Sequence, residues 1–140
     1  MKNTIVGIIT LLLFTTVIPG FSVIHSRYYI EDQKNAQEYL RIEVQQVSKD
    51  WCFVCSSRDI RVTAKVIEVM RTANNITPGN TIELRYRYTA PSRGRVGPGT
   101  FPLLEKGRIY PVFLNKTGNG SFYIPAAGPY SFTPLDNQNN

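Results

Sequence analysis

From residue 39 onward apolar and polar side chains alternate in short runs, the period expected of strands buried on one face. Residues 39–47 (YLRIEVQQV) place Leu40, Ile42 and Val44 on one side and Arg41 and Glu43 on the other. Residues 59–71 repeat the pattern, with Ile60, Val62, Ala64 and Val66 set against Arg61, Thr63 and Lys65. Their apolar phase slips at Val66-Ile67, which predicts a β-bulge or a sharp bend. Residues 81–89 (TIELRYRYT) predict Ile82, Leu84, Tyr86 and Tyr88 inward, and Glu83, Arg85 and Arg87 outward. Two further strands are predicted at 108–114 (RIYPVFL) and 121–126 (SFYIPA). Turn residues separate them: 74–80 (NNITPGN) before the third strand and 115–120 (NKTGNG) between the last two. Val62, Leu84, Tyr110 and Phe113 are the expected core, Phe113 inside the barrel.

Five strands in about 100 residues, the second long and bent, predict an all-β, small five-stranded Greek-key barrel of the OB-fold kind. A β-sandwich is the alternative that periodicity leaves open. An OB-fold usually carries a helix between its third and fourth strands, but residues 90–104 contain Pro91, Gly94, Gly97, Pro98, Gly99 and Pro102. That segment predicts an exposed loop. No helical pattern of useful length follows residue 40.

The start of the chain belongs to something else. Lys2 is followed by no Lys, Arg, Asp or Glu from Asn3 to Ser26, and residues 5–18 (IVGIITLLLFTTVI) are largely apolar before Pro19-Gly20. This is the layout of a secretory signal peptide, assigned to residues 1–26. In helical form the uncharged run reaches roughly 36 Å, so an uncleaved membrane anchor stays open. Residues 27–38 are then a lead-in, 39–135 the barrel domain and 136–140 a polar tail. The length of 140 residues, with 42% hydrophobic and 19% charged, suits one packed domain. The expected destination is secreted or periplasmic.

Export sets the chemistry of the only two cysteines, Cys52 and Cys55, which are expected to be disulfide-bonded. In a strand their Cα atoms would lie about 10 Å apart, beyond disulfide reach, so residues 51–57 predict a loop. So small a ring contributes about 2 kcal/mol in the chain-entropy account. Trp-Cys-x-x-Cys is also how thioredoxin-like enzymes present a reactive dithiol, and a small thiol-disulfide protein is the alternative function. That chemistry needs the first cysteine at a helix N-terminus, whereas the pattern after Cys55 is a strand. Zinc needs about four ligands, and the only histidine, His25, lies in the export segment. No metal and no cofactor are expected. Without a histidine in the body the Ser-His and Cys-His nucleophiles are excluded, and no carboxylate pair is spaced as an acid and base, so no enzymatic activity is expected.

The chain has 16 Lys and Arg against 10 Asp and Glu, and only Lys2 of the sixteen lies in the export segment. Arg85, Arg87, Arg93 and Arg95 cluster on the third strand and the loop after it, and form a candidate anion-binding surface. An anionic polysaccharide, a lipid surface or an acidic protein fits an exported basic face; nucleic acid as main partner does not, and a merely solvated face is the alternative. Asn75, Asn115 and Asn119 each open an Asn-x-Ser/Thr acceptor pattern in a predicted turn.

A family resemblance follows from RVTAKVIEVMRT, PGNTIELRY and LLEKGRIYPVFLN in an exported chain with a cysteine near the first strand connection. Residues 39–126 resemble the netrin-module and tissue-inhibitor-of-metalloproteinases type of OB-fold. The matching positions are an Ala-x-Val-x-x-Val strand and Leu104, Gly107, Tyr110, Phe113 and Leu114 in a Leu-x-x-Gly-x-x-Tyr-x-x-Phe-Leu segment. The resemblance implies a fold. It does not bring inhibition with it, because those inhibitors reach the target zinc through a cysteine at the mature N-terminus, and Cys52 lies far inside this chain.

Overall fold

The structure, a computed structural model, describes residues 23–50, 52, 54–90 and 99–135. Helix α1 (Val23–Asn35) leads into β1 (Glu38–Lys49), β2 (Ser57–Thr72), β3 (Thr81–Thr89), β4 (Ile109–Lys116) and β5 (Tyr123–Pro125), and a 3-10 turn (Gly128–Phe132) follows. The strands close into a barrel in the order β1-β2-β3-β5-β4. All pairings are antiparallel except the single bridge of Leu84 to Tyr123 that joins β3 to β5. That is the five-stranded Greek-key order of an OB-type barrel. Among the described residues no helix is long and apolar enough to cross a membrane.

The alternation explains the interior. Leu40, Ile42 and Val44 of β1 meet Ile60, Val62, Ala64 and Val66 of β2 and Ile82, Leu84 and Tyr86 of β3 in one buried cluster. β2 is the longest strand, and it must curl to serve both neighbours. It does so with extra residues against β1: Met70 between the pairs Tyr39/Arg71 and Leu40/Val69, and Ile67 between Arg41/Glu68 and Ile42/Val66. The apolar slip at Val66-Ile67 is therefore a bulge, and it leaves Ile67 exposed. The turn between β2 and β3 closes through backbone bonds from Gly79 N to Val66 O and from Val66 N to Asn80 O, both 2.8 Å. Gly79 sits there at φ 93°, in the left-handed region that a side chain would strain.

Phe113 corrects the expected core. Tyr110, Val112 and Leu114 face the barrel, so alternation turns Phe113 outward, in register with Tyr39. The two rings stack with centroids 4.2 Å apart, and Phe113 is nevertheless only 5% exposed. Helix α1 makes the difference. Ile30, Gln33 and Lys34 line a small cavity of about 100 Å³ together with Tyr39, Arg71 and Phe113. β4 is thus covered outside at Phe113 by the helix, while Ile109 at its start stays exposed.

Polar bonds hold that helix. Gln33 is buried and its amide donates to Tyr130 O and Thr133 O, both at 2.7 Å, while its carbonyl accepts from Leu135 N at 3.1 Å. Arg71 donates to Gln33 O at 2.6 Å, and the rings of Tyr29 and Tyr130 lie 4.7 Å apart. Gln33 and the Tyr29–Tyr130 contact therefore tie the N-terminal helix to the C-terminal turn. β1 also begins one residue earlier than the sequence predicts, and Glu38 points inward in phase with Leu40. Its Oε1 accepts from the backbone and side-chain nitrogens of Asn74, at 3.1 and 2.6 Å, and its Oε2 has no partner among the described residues. Not every carboxylate, then, stands on an outer face.

Tyr86 closes the barrel beside Phe101 and Phe132, at centroid distances of 5.3 and 5.7 Å, and donates its hydroxyl to Pro102 O at 2.9 Å. Burial pushes the hydroxyl up to about 12. A raised folded-state value means that stability is complete below the ordinary tyrosine range near pH 10 and is lost as pH climbs toward 12. Burial, with the Glu38 charge adding to it, raises Tyr123 in the same sense. We expect the urea midpoint to fall between pH 9.5 and 11.5 by an amount equivalent to roughly 2 kcal/mol. In Tyr86→Phe most of that fall should disappear, and an unchanged slope would place its origin elsewhere.

Candidate functional site

The outward faces of β2 and β3 carry the chain's densest charge. The strands pair so that Asp59 faces Arg87, Arg61 faces Arg85 and Thr63 faces Glu83. All six alternate against the buried Ile60, Val62, Leu84 and Tyr86, so the register that fills the core also fixes the order of charges outside. Arg87 Nε donates to Asp59 Oδ1 at 2.9 Å. That bond holds the Asp59 carboxyl below its usual range and pushes the Arg87 guanidinium up. Arg85 Nε donates to Glu83 Oε1 at 2.6 Å, and its guanidinium lies 4.1 Å from the centre of the Phe122 ring. Both pairs are solvent-exposed or half-buried, where an ion pair contributes little to stability. Their role is to orient the charges.

Arg61 differs from both. It is exposed, and among the described residues it has no ion pair and no hydrogen bond. An open groove of about 460 Å³ brings these groups together: Arg61, Arg85, Arg87 and Asp59 line it with Asp50 and Phe122. Asp50 arrives from the end of β1, where its N–H donates to Asp59 O at 3.2 Å.

Of the residues predicted from sequence, Arg85 and Arg87 stand on one face as expected. Each holds a carboxylate that alternation alone does not reveal. Arg93 and Arg95 lie outside the described residues. Sequence reasoning missed Arg61, Asp50 and Phe122 as neighbours of the arginine pair. The signal for Arg61 was present, since it shares the outward phase of Thr63 and Lys65. Reading it required the β2–β3 register, which pairs Lys65 with Thr81 and so is not centred on the 74–80 turn.

Cys52 and Cys55 form a disulfide with Cα atoms 5.5 Å apart, in the loop at the far end of the β1–β2 hairpin. Val54, between them, is 95% exposed. β2 begins at Ser57, so the bridge is followed by a strand with no helix N-terminus beside it. A disulfide fits an extracellular or periplasmic environment. Among the described residues no cluster of three or more His, Cys, Asp or Glu can hold a metal ion. Asn75 (φ 56°) and Asn119 are exposed in turns, and Asn115 is half-buried with its side-chain carbonyl accepting the Gln37 N–H at 3.0 Å. No protein-family model matches the chain, and no curated protein matches it either.

Proposed function

We propose that the chain is an exported, non-enzymatic binding or structural barrel of the netrin-module kind, which contacts an anionic partner through the outer face of β2 and β3. The observation that carries the reading is the convergence of Arg61, Arg85 and Arg87 on one groove, on strands whose inner faces are locked into the core. A rigid sheet holds guanidinium groups at fixed spacing, so an anion can meet several at once without first ordering a loop. The sequence pattern of the export segment and the disulfide support an extracellular or periplasmic setting, in which nucleic acid is not the main partner.

Association should be salt-sensitive, because exposed charges are screened. Over an acidic-polymer column the wild type should elute at distinctly higher salt than a variant with Arg85, Arg87, Arg93 and Arg95 changed to Gln. The two proteins should melt within a few degrees of each other, since the ion pairs removed are exposed. Equal elution would leave the arginines as a solvated face and remove the reading. The thiol-disulfide alternative is carried only by the Cys52–Cys55 bridge itself. A reduction potential above about −230 mV together with insulin-reducing activity would favour it.

A further inference from the structure

We propose that the β2–β3 groove docks an extended protein segment in which an acidic residue stands two positions from a basic one. The carboxylate would lie between Arg61 and Arg85, and the cation beside Asp50. The inference rests on the anionic-partner reading and names the partner's chemistry.

Three features lead to it. Arg61 and Arg85 are directly opposed across the strands, an arrangement that like charges disfavour unless something neutral or negative separates them. Arg85 turns toward Glu83 and the Phe122 ring, and Arg61, which acts on Asp59 only at longer range, makes no ion-pair contact or hydrogen bond among the described residues. A carboxylate in the groove relieves that opposition by accepting from both guanidinium groups.

The second feature lies at the other end. Asp59 is satisfied by Arg87, but the neighbouring Asp50 has no ion pair among the described residues and lines the same groove. Among the described residues the site therefore offers one positive and one negative group without an ion-pair contact, Arg61 and Asp50. A polymer with an anion on every unit, whether a sulfated sugar chain or polyglutamate, would bring one charge to Arg61 and the next to Asp50 and Asp59. A segment of mixed sign meets both ends favourably.

Spacing is the third feature. Arg61 and Asp50 are diagonal neighbours on adjacent strands, about 7 to 8 Å apart by sheet geometry. Side chains on one face of an extended peptide recur at about 7 Å. An acidic-x-basic triplet in strand conformation thus spans the two groups without bending, and the groove, about 460 Å³ with Phe122 as one wall, takes several side chains.

The test uses the full exported protein and three fluorescent probes of similar length: an (Glu-Ser-Lys-Ser)₂ peptide, a (Glu-Ser)₄ peptide and a heparin fragment. By anisotropy at 0.15 M salt the mixed peptide should bind about five-fold more tightly than the Glu-only peptide. Arg61→Gln should remove most of that affinity. Asp50→Asn should weaken the mixed peptide and strengthen the Glu-only one, which a general loss of fold would not do. If the Glu-only peptide or the heparin fragment binds wild type as tightly as the mixed peptide while Arg61→Gln still weakens it, this inference fails and the anionic-partner reading stands. If no probe binds, or Arg61→Gln changes none of the affinities, both fail.

Discussion

Phe113→Ala should lower the unfolding free energy by about 3 to 5 kcal/mol, as much as truncating a residue inside the barrel. The loss would come from the outer layer. Phe113 is 5% exposed, stacks on Tyr39 at 4.2 Å and borders a cavity of about 100 Å³ beneath helix α1. Removing the ring enlarges that cavity and takes the floor from under Ile30 and Gln33, and the helix can collapse onto the gap only by giving up its bonds to the C-terminal turn. Urea unfolding of the variant, beside Leu84→Ala as an interior standard, measures the effect. A change below 1 kcal/mol would mean that the helix does not bury this face in solution. Tyr39→Ala should couple to it, because the stacked pair contributes about 0.5 to 1.5 kcal/mol beyond its buried area and the two losses are then not additive.

The barrel was legible because its physics is periodic. Alternation in β1, β2 and β3 marks one dry face, and the phase slip at Val66-Ile67 marked the bulge that lets β2 curl. β4 gave a warning that alternation could not decode. IYPVFL is an almost unbroken apolar run, which signals outward apolar positions that a second layer could cover, but nothing in the pattern says that Phe113 is covered and Ile109 is not, or by what. The cover is α1, and it escaped reading because it has no apolar stripe. Its inward positions are Tyr29, Ile30 and Gln33, and the most buried of the three is the amide.

The charged groove was half legible for a related reason. Outward phase could be assigned to Arg61, Arg85 and Arg87 from each strand alone, but which charges oppose one another depends on the register between strands. Only that register shows that Glu83 and Asp59 make close ion pairs with Arg85 and Arg87 while Arg61 makes none among the described residues. Phe122 was out of reach altogether, since it comes from the residue before β5, on the far side of the hairpin turn.

Gln33→Leu should cost about 3 kcal/mol although it keeps the volume of the side chain and makes it more apolar. In the native protein the amide answers three backbone groups, Tyr130 O, Thr133 O and Leu135 N, at a site that is 4% exposed. Tyr130 O keeps the Thr133 N–H as a donor at 3.3 Å, but a leucine gives Thr133 O and Leu135 N nothing in return, and each buried polar group left without a partner costs about 1 to 3 kcal/mol. The Thr133 carbonyl falls at the low end of that range, because an unsatisfied acceptor is tolerated better than an unsatisfied donor. The damage should be local first. Arg71 still reaches the backbone carbonyl of residue 33 and the Tyr29 and Tyr130 rings still meet, so the helix stays attached while the C-terminal turn beyond Tyr130 loosens. Amide exchange at Leu135 should therefore accelerate more than exchange at Leu84 in the barrel, and trypsin should cut faster after the exposed Lys34. Global unfolding within 1 kcal/mol of wild type, with Leu135 exchange unchanged, would show that the three bonds do not fasten the helix to the turn.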